Sequence, residues 1–344
     1  MSVWMSESTT VEALVCAEPG RLALVRRPVP KAQPGEALVR PRRVGVCGTD
    51  YHIYQGKHPF LQYPRVMGHE MAVEVVTAAS GSDLHAGDIC VVNPYIACGG
   101  CIACRAGRPN CCVKISVLGV HRDGGMTGLL SIPEGNLMPA GRLSMDACAS
   151  TEFLAIGAHA VRRGSIAAGD NVLVVGAGPI GLGAVLFARM AGANTFVHDR
   201  DTARAEIAAT LSGATAISDP KREMGRHTAG NGFDVVMDAT GNRASMEAGF
   251  DFVAHGGRYV LISVVNETIS FADPDFHRKE LTLLGSRNAT NDDFRQVMRA
   301  IEAGAIKVDE LVTHRTTLAD AAESIPIWAT QKSGLIKALV EIDH

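Results

Sequence analysis

The stretch NVLVVGAGPIGLGAVLFARMAG, residues 171–192, decides how this chain is read. A mostly β-branched run, Val172 to Val175, leads into Gly176, Gly178 and Gly181, spaced G-x-G-x-x-G, and a helical apolar pattern follows. In such a strand–turn–helix the first glycine permits the tight turn and the second lets the backbone approach a pyrophosphate. The third lets helix and strand pack closely, and the helix N-terminus offers amide donors to phosphate. Pro179 and Ile180 complete the loop. The next strand-like run, NTFVHD, ends on Asp199, about 20 residues further on, where an acid binds the adenosine ribose hydroxyls. An acid there repels a 2′-phosphate, which favours NAD over NADP, and Arg200 beside it pulls the other way.

Working outward, strands and helices alternate on both sides of the loop. TEFLAIGAHAVRRG (151–164) reads as a helix before it; TARAEIAATLSG (202–213) and ASMEAGFDFVAHGG (244–257) read as helices after it. FDVVMDATG, RYVLISV and LTLLGS supply further strands. That alternation predicts a doubly wound parallel sheet over residues 156–290. Residues 1–155 differ, with short β-type runs such as EALVRPRRVGV and MAVEVVTA between turn clusters such as AQPGE and LHAGD. They predict an irregular all-β domain. The segment 291–344 opens with the amphipathic helix NDDFRQVMRAIEAG and is expected to return to that domain.

The chain has 344 residues, 47% hydrophobic and 20% charged, with a formal charge of -3. No basic excess points to nucleic acid or to an acidic membrane surface. The start, MSVWMSESTTVEAL, lacks a basic end followed by an apolar core, and no apolar run is long enough to span a bilayer. A cytoplasmic protein is expected, so disulfides are disfavoured among the nine cysteines and metal or redox chemistry is left for their cluster.

Five of those cysteines fall in CGGCIACRAGRPNCC (98–112). Cys98, Cys101, Cys104 and Cys112 are spaced to turn thiolates inward around one tetrahedral ion, and four thiolates leave no open position, so a structural zinc is expected in a lobe over about 95–115. Cys111 is the spare. A second set is dispersed over GVCGTDYH, MGHE and STEF. There Cys47, His69 and a carboxylate from Glu70 or Glu152 would form a mixed site with room for a substrate oxygen.

Together, CGTD with His52, GHE, the four-cysteine lobe, GAGPIG and Asp199 resemble the zinc-containing medium-chain alcohol dehydrogenase family along essentially the whole chain. The resemblance implies a GroES-like first domain and a Rossmann domain that drives dimer or tetramer formation. It also implies catalytic zinc ligands at Cys47, His69 and Glu152, with Glu70 able to replace Glu152 during turnover. Thr49 and His52 would relay a proton. Arg204, Thr240, Ile262 and Ser263 join the cofactor candidates, with Lys337 near the diphosphate. The sequence departs at TEFL, where sorbitol-dehydrogenase-like members have Glu-Pro, a difference that bears on how Glu152 is presented.

PFLQYPRVMGHE, ISVLGVHRDGGM, DPDFHRKE and LLGSRNATNDDF further resemble the branch that oxidises the C5 hydroxyl of hexonates such as L-galactonate. A small-molecule sugar acid is therefore the expected substrate. His121, Arg122, Arg287 and Asn288 are candidates to hold its carboxylate. Alternatives are a polyol or L-threonine dehydrogenase, a zinc-free reductase, and a non-catalytic NADH-binding protein.

Overall fold

The structure is a computed structural model that describes residues 9–58, 61–331 and 334–343. The reading of the N-terminus as free of a leader falls largely on residues 1–8, outside the described residues. The chain divides into two compact units, Met1–Glu152 with Met298–His344, and Phe153–Val297. The second unit is thus slightly larger than the expected 156–290. Its boundaries fall inside two helices, Met145–Arg163 and Asn291–Glu302, rather than in loops.

In the first unit the strand Glu36–Val46 is central, with its buried face alternating as period-2 patterning requires. It pairs antiparallel with Glu70–Thr77 on one side and with Lys337–Glu341 on the other. Val39, Val44, Met71, Val73, Ile132 and Val340 fill the core beneath, each at 1% exposure or less. Each such side chain contributes roughly 1.5–3 kcal/mol on burial. The register places Gly45 opposite Glu70 and Val46 opposite Ala338. Three distant pieces of sequence, around residues 46, 70 and 337, therefore end side by side. A two-stranded ribbon, Tyr95–Ile96 against Ser116–Val117, forms the base of the cysteine-rich loop between them.

The second unit is a six-stranded, wholly parallel sheet. From one edge to the other its strands are Thr215–Ala216, Asn194–His198, Asn171–Val175, Phe233–Asp238, Val253–Leu261 and Thr282–Gly285. Chain order reverses between Asn171–Val175 and Phe233–Asp238, the switch point where such sheets bind ligands at their carboxyl ends.

Three elements differ from their sequence reading. The helix expected from Thr151 begins at Met145, because the Ser144 hydroxyl accepts from the Ala147 amide and supplies a cap. The helix expected over 244–257 stops at Phe252, and VAHGG already belongs to a strand. Its Gly256, at φ +71°, marks an irregularity that resembled a helix end. The strand Thr215–Ala216 and the helix Pro220–His227 were not anticipated. Among the described residues no helix is long and apolar enough to cross a membrane.

Candidate active site

Cys47 caps the short helix Gly48–Tyr54: its sulfur accepts from the Thr49 amide at 3.2 Å. Asp50 closes the cap, accepting from the Cys47 amide at 3.0 Å and, through its other oxygen, from the Gly68 amide at 3.2 Å. That fully buried carboxylate therefore ties the Cys47 turn to the His69 turn. Cys47 Sγ lies 3.2 Å from His69 Nε2. His69 is the shared member of two clusters, Cys47/Asp50/His69 and His69/Glu70/Glu152, each with its ligand atoms within 4.8 Å of one another.

A half-buried thiol beside a buried imidazole and two buried carboxylates is a poor arrangement without a cation. Burial pushes Glu152 up to about 7; His69 opposes that shift and Glu70 adds to it. Burial also disfavours charge on His69, yet Cys47, Asp50 and Glu152 together push its pKa well above the usual value. His69 Nδ1 and Glu70 Oε1 are buried without a hydrogen-bond partner among the described residues. Mixed sulfur, nitrogen and oxygen donors of this kind fit a catalytic zinc, which takes three protein ligands and keeps one position open.

The two carboxylates have different partners. Glu70 is ion-paired with Lys337, both fully buried, and Lys337 Nζ also donates to the Val46 carbonyl at 3.3 Å. Within the first unit, Lys337 therefore lies against the His69/Glu70/Glu152 cluster. Gly45 makes room for this pair, since a Cβ there would fall 1.9 Å from Glu70 Oε2. Glu152 instead accepts from the Tyr95 hydroxyl. Burial and the neighbouring carboxylate push the Tyr95 pKa well above its ordinary range, so the phenol stays a donor. Thr49 is half-buried and His52 exposed, one turn apart on the same helix.

The sulfurs of Cys98, Cys101, Cys104 and Cys112 also lie within 4.8 Å of one another. Cys101 and Cys104 sulfurs are 3.4 Å apart, too long for a disulfide. Amides of Cys98 and Lys114 donate to Cys112 Sγ, both at 3.3 Å. Backbone amides of Cys104 and Val113 pull Cys101 down to about 6, while burial and neighbouring sulfurs push Cys104 up to about 11. Such a crowd of thiols fits one divalent ion held by four thiolates. Cys111 is exposed and outside the cluster.

In the second unit Gly176 adopts φ +97°, and its amide donates to the His198 carbonyl at 2.8 Å. A Cβ on Gly181 would fall 1.8 Å from the Gly176 carbonyl oxygen, so close helix–strand packing demands glycine there. Nothing lies within 4 Å of a Cβ built on Gly178, which caps the following helix with Pro179 and Ile180 in its first turn. Asp199 ends the neighbouring strand; its carboxylate accepts from the amides of Ala177 at 2.8 Å and Asp201 at 2.9 Å. Arg200 is exposed, and Arg204 faces Asp201 at 3.7 Å. Thr240, Ile262 and Ser263 follow the ends of their strands, so the cofactor candidates other than Lys337 share the carboxyl edge of one sheet.

Some supporting residues were not anticipated. Asp50 and Tyr95 are two. Asp238, fully buried, is a third: it accepts from the Thr240 amide and hydroxyl and from the Ser245 hydroxyl. Asp238 is an acid that ends the apolar run VVM, a pattern at odds with simple strand burial and therefore a usable signal.

The carboxylate candidates fall in both units. His121 is exposed in the first unit, its Nδ1 accepting from the Val117 amide at 3.1 Å. Arg122 is committed to Glu36 at 3.1 Å. Arg287, exposed, and Asn288, at φ +54°, follow the edge strand Thr282–Gly285 of the second unit.

Comparison with known proteins agrees with this geometry on the class. Residues 33–142 match the alcohol dehydrogenase GroES-like domain, and residues 179–303 match the zinc-binding dehydrogenase domain. The chain belongs to the zinc-binding, medium-chain alcohol dehydrogenase family. It is 42% identical to L-galactonate-5-dehydrogenase of Escherichia coli K12, over 96% of this chain and 99% of that protein. Among solved structures, an NADH complex of RspB from Escherichia coli CFT073 superposes with a TM-score of 0.90 at 29% identity, covering 97% and 100% of the two chains. A putative zinc-binding dehydrogenase of Sinorhizobium meliloti bound to NADP gives a TM-score of 0.89 at 30% identity, with the same coverage.

Proposed function

We propose that this enzyme oxidises a secondary hydroxyl of a sugar acid, L-galactonate or a related hexonate at C5, with NAD as hydride acceptor. The observation that carries the reaction class is the pair of clusters, Cys47/Asp50/His69 and His69/Glu70/Glu152, that share His69. The substrate rests on the similarity to L-galactonate-5-dehydrogenase across 99% of that protein's length.

Cys47, His69 and Glu152 would hold the catalytic zinc, and Cys98, Cys101, Cys104 and Cys112 a second, structural one. When bound, the catalytic ion supplies Lewis acidity that makes a substrate hydroxyl acidic near neutral pH, and NAD supplies the acceptor. Thr49 would take the hydroxyl proton while giving up its own toward His52, exposed one turn further on, which releases a proton to solvent. Asp199 accepts from the adenosine ribose hydroxyls, and the helix that begins at Pro179 directs its amides at the pyrophosphate. Asp199 supports NAD rather than NADP despite the neighbouring Arg200. Arg287 is proposed to bind the substrate carboxylate through its forked guanidinium.

A screen of NAD reduction over L-galactonate, L-gulonate, sorbitol, L-threonine and simple alcohols tests this reading. Preference for a hexonate supports it. Turnover of polyols or L-threonine with no turnover of any sugar acid refutes it.

A further inference from the structure

We infer that Tyr95 is a positioning residue for the catalytic carboxylate: its hydroxyl holds one oxygen of Glu152 and so aims the other at the metal. The inference rests on the assignment of Glu152 as a zinc ligand and goes beyond it.

Three observations carry it. Tyr95 is buried, and its hydroxyl donates to Glu152 Oε1 across 57 positions of sequence. Its backbone is fixed on both sides. The Tyr95 amide donates to Asn93 Oδ1 at 3.0 Å, and Asn136 Nδ2 donates to the carbonyls of both Asn93 and Tyr95, at 2.8 and 3.3 Å. The Asn93 amide returns a bond to the Asn136 carbonyl at 2.8 Å. Finally, Tyr95 pairs with Val117 in the ribbon at the base of the four-cysteine lobe.

A core phenol that only needed a partner could take any carbonyl, and it would not need so rigid a support. Here the rigid element ends on the carboxylate expected to bind the ion, in a helix where Glu152 lacks the following proline typical of sorbitol-dehydrogenase-like relatives. Glu70 has a different partner, its Oε2 being ion-paired with Lys337. Groups hydrogen-bonded to metal ligands typically change metal affinity or activity by about 10–100-fold when removed.

The test uses the full-length enzyme and Tyr95→Phe, each loaded with zinc, then titrated with a competing chelator and reloaded with cobalt at the weaker site. Tyr95→Phe should retain the ion of the cysteine lobe and bind the other at least tenfold more weakly, with a shifted cobalt d–d spectrum. The metal-free melting temperatures should differ little. In a Glu152→Gln background the same change should have much less effect on affinity, as expected for residues that act through one another. Unchanged affinity and cobalt spectrum in Tyr95→Phe, or a lowered melting temperature with both of these unchanged, would overturn the inference while leaving the zinc site intact. A wild type that binds no second ion would overturn the zinc assignment, and this inference with it.

Discussion

Lys337 and Glu70 form a fully buried ion pair whose members come from opposite ends of the chain. Neither charge has water to fall back on, so removing one leaves the other uncompensated. Lys337→Met should destabilise the metal-free protein by about 3–5 kcal/mol in urea unfolding, and Lys337→Met with Glu70→Gln should recover much of that. No loss in the single variant would mean that the pair is not formed. The burial of Lys337 was not legible, because lysine is almost never fully buried unless paired and its partner is remote in sequence. Arg287 is exposed, so its contribution should appear in substrate binding rather than stability. A charge-assisted contact is worth about 1.5–3 kcal/mol. Arg287→Ala should therefore lower kcat/KM for L-galactonate at least tenfold through KM, with sorbitol turnover much less affected. Equal losses on both would assign Arg287 to fold or cofactor.

At the scale of elements, Asp293 ties the helix Met145–Arg163 to the helix Asn291–Glu302 within the second unit. Its carboxylate takes bonds from His159 at 2.8 Å, from Arg162 at 2.8 and 2.9 Å, and from the Thr290 amide and hydroxyl at 2.8 and 2.7 Å. Burial alone would raise its pKa, but these bonds from His159, Arg162 and Thr290 hold it well below the ordinary carboxylate value. A carboxyl with a lowered folded pKa stabilises the fold above its unfolded pKa of about 3.9 and loses that contribution as pH falls through the folded value. Urea midpoints should therefore fall steeply below about pH 4 in the wild type and less steeply in Asp293→Asn. Parallel pH profiles would remove Asp293 as the cause. The strands and helices around the glycine-rich loop were legible because their apolar runs are long and their periods distinct. The two-residue strand Thr215–Ala216 and the polar helix Pro220–His227 were not. The first is two residues long and pairs with Phe196 and Val197, and the second begins on an Asp219 cap rather than an apolar pattern. Tyr95 was hidden for a similar reason: a tyrosine in a β-type run reads as core until its partner in a distant helix is known.

At the scale of the molecule, most of the site was readable because its chemistry demands rare residues in tight spacings. Four cysteines, a Cys47–His69 pair and a three-glycine turn in one chain are hard to reconcile with anything but metal and dinucleotide binding. The candidates proposed for substrate choice are ordinary polar residues with no such spacing; among them Arg122 is ion-paired with Glu36. The second unit also leaves the parallel edge strand Thr282–Gly285 open among the described residues, with Leu283 exposed at 36%. An unprotected edge of this kind invites pairing with another chain. We expect a homodimer formed along this edge, and Leu283→Arg should shift light scattering toward the monomer; a wild type that is monomeric at all concentrations would count against it.

A zinc ion at Cys47, His69 and Glu152 is proposed to drive hydride transfer from a sugar acid to NAD, and metal dependence tests this most directly. The measurement is the initial rate of NADH formation from L-galactonate before metal removal, after it, and after stepwise return of zinc. The rate should vanish when the more labile of two ions per chain is stripped and return as that site refills, with NADP supporting far less turnover. A rate unaffected by zinc removal, or no NADH from L-galactonate with both sites filled, would contradict it.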